Sequence, residues 1–186
     1  MASGSGTLLQ AIIDAQDHTS CYHVVGVVAD TECQALERAK AAGIPAHLVA
    51  YRRGDDREAW NIKLAETVEG CSPDLVVSAG FMRILGPQFL AKFGGRTLNT
   101  HPALLPAFPG AHAVRDALLY GVKVTGSTVH LIDEGVDTGP ILAQRPVAVR
   151  AGESESELHE RIKQVERKLI VEVLNSEDPT DTSVDR

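Results

Sequence analysis

The chain is short of the residues that most often betray a special environment. It has three cysteines, and Cys21, Cys33 and Cys71 show no Cys-x-x-Cys spacing. So small and scattered a set argues against a disulfide framework or a metal site and suits a reducing, cytoplasmic setting. No apolar run approaches the ~20 residues that span a bilayer, and the start lacks the basic-then-apolar order of an export signal. Basic residues are outnumbered, 18 Lys+Arg against 25 Asp+Glu, for a formal charge of −7. A general nucleic-acid binder needs the opposite surplus to neutralise phosphates. A small phosphorylated substrate is still admissible, since a few local groups can hold it. The expected partners are therefore small molecules, with neither nucleic acid nor membrane, and the chain works as a monomer or homodimer. Hydrophobic residues make up 44% of 186, which suits one soluble globular domain with a substantial core.

Apolar β-rich runs alternate with helical patterns, the sign of a parallel α/β sheet. Strands are expected over 22–29, 46–49, 75–79 and 97–99, and helices over 7–15, 33–42, 56–68 and 86–93. The runs "HVVGVV" and "DLVVSAG" are continuously apolar, as strands buried on both faces are. After Asn99 the Pro-rich "HPALLPAFPG" cannot be regular structure. A helix over 113–120, a strand over 122–131, a Gly/Asp loop and strands over 141–144 and 147–149 follow. The last helix, 154–174, carries Leu158, Ile162, Val165 and Leu169 on one face. The domain is expected to span 1–174, and the polar, acidic stretch 175–186 reads as a disordered tail.

Four segments carry chemistry. Ser3-Gly4-Ser5-Gly6-Thr7 leads into a helix, so its backbone N–H groups can converge on an anion; a Gly/Ser linker is the competing reading. It lacks the Lys of a nucleotide-triphosphate loop and the third glycine of a dinucleotide loop. Only Met1 and Ala2 precede it, so the expectation is either a true start upstream or the loss of the strand that normally feeds such a loop. Asn99 and His101 lie two residues apart, hence on one face of an extended segment, at the carboxyl edge where α/β folds bind ligands. Together they can hold an oxyanion and deliver a proton; equally, Asn99 can cap the loop while His101 bonds locally. Asp137, in "DEGVDTGP", is either the carboxylate that keeps an imidazole charged or a turn residue. His130 ends a strand and suits a supporting role or a satisfied core position. The apolar "SAGFMRILGP" can line a slot for a flat heterocycle, or run straight into core helix.

The pieces "SGSGTLLQAII", "DLVVSAGFMRILGPQFL", "LNTHPALLPAFPGAHA" and "GSTVHLIDEGVDTGPILAQ" together resemble the phosphoribosylglycinamide formyltransferases, the folate-dependent transformylases of purine synthesis. The Asn-x-His-Pro segment, with Asp-x-Gly-Pro 36 residues after the His, carries most of that resemblance. It implies a single-domain formyltransferase fold, a mostly parallel twisted sheet with helices on both faces. It implies transfer of a formyl group from 10-formyltetrahydrofolate, with no metal, and Asn99, His101 and Asp137 as the catalytic trio, Asp137 raising the His101 pKa. By the same resemblance Gly6, Thr7, Leu8, Lys163 and Glu166 hold the ribonucleotide. Arg57, Met82, Arg83, Ile84, Leu85, Asn99, Asp133 and Asp137 hold the folate.

Overall fold

In the computed structural model, which describes residues 1–183, helices and strands alternate along the chain except where β5 is followed directly by β6. The backbone packs as two compact units, one spanning Met1–Leu98 and the other beginning at Asn99.

The first unit contains α1 (Thr7–Asp14), β1 (Val27–Ala29), α2 (Gln34–Ala41), β2 (Ala46–Leu48), α3 (Arg57–Gly70), β3 (Val76–Ser78) and α4 (Pro87–Phe93). β1 and β2 pair in parallel, Val27 opposite Ala46, and all three β1 residues are buried. Asp56 starts α3 by accepting from the N–H groups of Glu58 and Ala59, which satisfies two of the donors a helix start leaves open.

The expected strand over 22–29 shrinks to its last three residues, and the reason lies in its neighbours. Met1–Ser3 forms backbone bonds on both sides: Ala2 N–H donates to Val28 at 3.0 Å, while Ala79 N–H donates to Met1 at 2.8 Å and Ser3 N–H to Gly80 at 3.1 Å. Those three residues link the end of β1 to the end of β3. Residues before Val27 satisfy their polar groups in other ways, Tyr22 Oη on the Ile12 carbonyl and Val24 N–H on the Gln16 side chain. A ladder extends only as far as its partner strand does.

β4 (Thr97–His101) leads into the second unit, which continues with α5 (Ala113–Tyr120), β5 (Val124–Leu131), β6 (Ile141–Ala148) and α6 (Glu155–Leu174). β5 and β6 are antiparallel, with a register irregularity between Val129 and His130. Where two short strands were expected, β6 runs unbroken through Pro146, which lies opposite Gly126. β6 is the last strand in its sheet, and an edge tolerates the donor that proline lacks. α6 begins with a reciprocal cap between Ser154 and Glu157. Its Leu158 and Ile162 pack with Val114 and Val147 into a buried cluster that also receives Val165. Beyond Leu174 the chain forms turns and bends as far as Thr180 and has no regular structure over 181–183; residues 184–186 of the expected tail lie outside the described residues.

Candidate active site

β4 ends on Asn99, Thr100 and His101, just where the proline-rich stretch leaves the sheet. His101 is almost wholly buried, and both of its ring nitrogens face acceptors. Nε2 lies 2.8 Å from the Phe108 carbonyl oxygen, and Nδ1 lies 3.3 Å from Asp137 Oδ2. A carbonyl and a carboxylate can only accept, so each ring nitrogen faces a group to which an N–H can donate.

Asp137 is fixed from several sides. Its Oδ2 accepts from Gly110 N–H at 2.7 Å, and its Oδ1 lies 3.6 Å from His130 Nε2. These contacts hold the carboxyl below its ordinary range. His130 is the largest cause, burial opposes it, and the Gly110 N–H and the charge of His101 add to the lowering. Asp137 therefore stays an anion beside the ring. Phe108 and Asp137, which supply the two acceptors around His101, both have left-handed backbones, at φ 54° and 56°. Asp tolerates that region, but for a bulky Phe it stores about 1–3 kcal/mol, and such strain collects at functional sites.

His130 is the fourth member of the cluster. Its Nδ1 is 2.8 Å from the Leu131 carbonyl, so that nitrogen donates. Nε2 lies 3.2 Å from Asn99 Nδ2 and 3.6 Å from Asp137 Oδ1, so the ring stands beside both groups. The irregular pairing with β6 falls at this same residue, and such bulges re-aim side chains beside sites.

The other expected residues fall into smaller groups. In the second unit, Thr100 hydrogen-bonds Glu166 on α6. Burial raises the Glu166 carboxyl above its ordinary range, against the Thr100 bond and the charges of Lys163 and Arg167. Asp133 accepts from Gly135 N–H at 3.0 Å and from the Thr138 hydroxyl at 2.7 Å, so it ties together the loop that carries Asp137.

In the first unit, Gly6 stands at the start of α1 with φ 68°, and no side chain caps the helix there. Among the described residues, the N–H groups from Gly4 to Leu9 donate to no protein acceptor. The loop after β3 alternates: Phe81 and Leu85 are buried, while Met82 and Ile84 are 78% and 67% exposed. Two arginines brace it. Arg57 donates to the Ile84 carbonyl at 2.5 Å and lies over Tyr51 and Trp60. Arg83 donates through Nε to buried Asp30 at 2.6 Å and covers Tyr51 from its own side. Met82 N–H donates to Ser3 Oγ at 2.9 Å, joining this loop to the glycine loop. Among the described residues no group of three or more His, Cys, Asp or Glu could hold a metal ion, and no helix is long and apolar enough to cross a membrane.

The model of the family described as formyl transferase matches residues 1–174. The chain belongs to the formyl transferase family. It is 58% identical over 171 residues to the phosphoribosylglycinamide formyltransferase of Mycobacterium tuberculosis (strain ATCC 25618 / H37Rv), covering 92% of this chain and 80% of that protein. Against the same-named protein of Escherichia coli (strain K12) the identity is 41% over 171 residues, covering 91% and 81%. Among solved structures, phosphoribosylglycinamide formyltransferase from Bacillus halodurans superposes with a TM-score of 0.88 at 39% identity, covering 94% of this chain and 91% of that one. The α/β fold and the formyltransferase resemblance expected from the four segments therefore hold. Membership implies a folate-type formyl donor.

Sequence reasoning about this formyl transferase left several contacts unseen. The Phe108 carbonyl and the Gly110 N–H are backbone groups, which carry no side-chain signal. The Pro109-Gly110 pair marked a turn there without saying what the turn would hold. His130 was visible as a strand-end histidine, but its bond to Asn99 depends on strand register. Asp30 follows an apolar run and gave no hint that Arg83 would reach it.

Proposed function

We propose that this chain transfers the formyl group of 10-formyltetrahydrofolate to the amine of 5'-phosphoribosylglycinamide, a step of de novo purine biosynthesis. One observation carries the mechanism: His101 stands between two acceptors, an anionic Asp137 and the Phe108 carbonyl, with the Asn99 amide in the same hydrogen-bonded cluster.

The amine lone pair attacks the formyl carbon, and the carbonyl electrons move onto oxygen. Asn99 and the positive His101 stabilise that oxyanion, which is the largest service such donors render in acyl transfer. The His101 Nε2–H, which the Phe108 carbonyl orients before substrate arrives, is the donor shared with the oxyanion. Asp137 keeps the ring charged throughout. As the intermediate collapses, the bond to the folate nitrogen breaks, and the proton lost by the attacking amine reaches that nitrogen through the trio or a bound water. The oxyanion charge is met by Asn99 and His101, so no metal is called for.

The substrate roles follow the same reading. The open N–H groups of Gly6, Thr7 and Leu8 hold the ribonucleotide phosphate, and Lys163 adds a positive charge for it. Glu166 accepts from ribose hydroxyls. By the family resemblance Met82, Arg83, Ile84 and Leu85 contact the folate heterocycle, Asp133 and Asp137 are assigned to the folate as well, and Arg57 meets the folate tail. The chain works in the cytoplasm on small molecules.

The test is direct: mix the chain with 5'-phosphoribosylglycinamide and 10-formyltetrahydrofolate and follow tetrahydrofolate release. Release that depends on the amine substrate is expected. A folded chain giving none, or giving it equally without the amine, refutes the assignment.

A further inference from the structure

An anion-binding loop has to solve a problem that its glycines alone do not. Every residue that offers an N–H also carries a carbonyl, and a carbonyl turned inward would repel the anion. In this loop all three carbonyls that matter are engaged by protein donors. The Gly4 carbonyl accepts from Ala35 N–H at 3.2 Å, and the Gly6 carbonyl accepts from Gln10 N–H at 2.8 Å. The Ser5 carbonyl, between them, accepts from Arg38 Nε at 2.8 Å. Arg38 also donates through Nη1 to the Gln10 side chain at 3.0 Å, so one guanidinium grips both the loop and the first turn of α1. Two of the three donors belong to α2, and α2 fits closely: a Cβ at Gly6 would stand 2.8 Å from the Ala35 Cα and 3.2 Å from the Arg38 Cδ.

We infer that Arg38 is a positioning residue for phosphate recognition: it holds the Ser5 carbonyl outward so that the loop N–H groups face the anion, and it lends that anion a fixed positive charge. The inference rests on the proposed role of the Gly6–Thr7–Leu8 loop. A planar guanidinium suits the task because two of its N–H groups are aimed at once, whereas a lysine ammonium offers one contact point on a flexible stem. The fork engages protein through Nε and Nη1, so it acts by shaping the loop and by its charge.

The test compares Arg38→Ala and Arg38→Lys with the unaltered chain on two acceptors, 5'-phosphoribosylglycinamide and the same riboside without its phosphate. Arg38→Ala should raise KM for the phosphorylated acceptor about 10-fold to 100-fold, the range for a lost charge-assisted bond. Its KM for the riboside and for the folate should stay unchanged, as should kcat. Arg38→Lys should fall between, with charge kept and geometry lost, and it decides the matter if Arg38→Ala does not fold. Inhibition by inorganic phosphate should weaken in parallel with the rise in KM. Equal losses on both acceptors, or no loss at all, overturn the inference while leaving the phosphate role of the loop intact. An unaltered chain that uses both acceptors equally well overturns that role, and the inference with it.

Discussion

Around His101 each ring nitrogen has its acceptor and Asp137 is held by a backbone N–H, whereas in the glycine loop the carbonyls are engaged and the N–H groups are left open. The two regions use the same kind of bond for opposite ends. A group that stabilises charge by holding a proton has to be fixed before the substrate arrives, because reorganisation during the reaction would cost rate. A loop that recognises an anion has to keep its donors unsatisfied, so that the ligand supplies the missing acceptor. Damage to the first region should appear in kcat, and damage to the second in KM for the ribonucleotide.

The largest effect expected from breaking this contrast is at Asp137. Asp137→Asn keeps the size and tolerates the same backbone, yet removes the anion beside His101. Measured at saturating substrates, kcat should fall about 10²–10⁴-fold with little change in KM for the ribonucleotide. The same substitution has a pH signature. The folded Asp137 carboxyl lies below its ordinary value of 3.8, so the folded chain binds that proton less tightly than the unfolded chain does. Its stabilisation is complete above that ordinary value and fades as pH falls through the folded one. Denaturation midpoints between neutral and acid pH should therefore drop more steeply for the unaltered chain than for Asp137→Asn.

Gly6→Ala strikes the open region instead. The new Cβ would press on Ala35 from a backbone that favours glycine, so stability in urea should fall by about 1–3 kcal/mol. KM for the ribonucleotide should rise while kcat at saturation holds. A loss of kcat alone would erase the contrast between the regions.

The smallest effect is at Glu166, and its sign is unusual. Burial raises this carboxyl, so the folded state binds the proton more tightly than the unfolded state, and the charged form costs stability once pH exceeds the ordinary value of 4.5. Glu166→Gln should melt at a higher temperature than the unaltered chain at neutral pH, with the difference closing toward pH 4. The ribonucleotide KM should rise because the acceptor for ribose hydroxyls is weakened. A variant more stable and yet a poorer binder marks a residue retained for its ligand.

Much of this was legible before any coordinates. Asn99 and His101 stood out as candidates by strand alternation before a Pro-rich break and Asp137 by its Gly/Asp loop, while the formyltransferase resemblance alone joined the three. The helix 113–120 was read to the residue, since its apolar positions repeat cleanly. What stayed hidden depends on partners distant in sequence. β1 is short because Met1–Ser3 pairs only with its end, which the apolar run "HVVGVV" could not tell. β6 runs through Pro146 because it is an edge, a fact of sheet order. His130 bonds Asn99 only in the register that β4 and β5 adopt. Arg38 read as one more charge on a helix, since the carbonyl it holds lies 33 residues earlier in the chain.

The most direct trial of the central claim is the single-turnover rate of formyl transfer by Asn99→Ala, with both substrates saturating and folding verified by circular dichroism. If the Asn99 amide steadies the oxyanion, the rate falls about 10²–10³-fold while substrate binding is kept. A rate within about threefold of the unaltered chain would remove the amide from the chemistry and contradict the account.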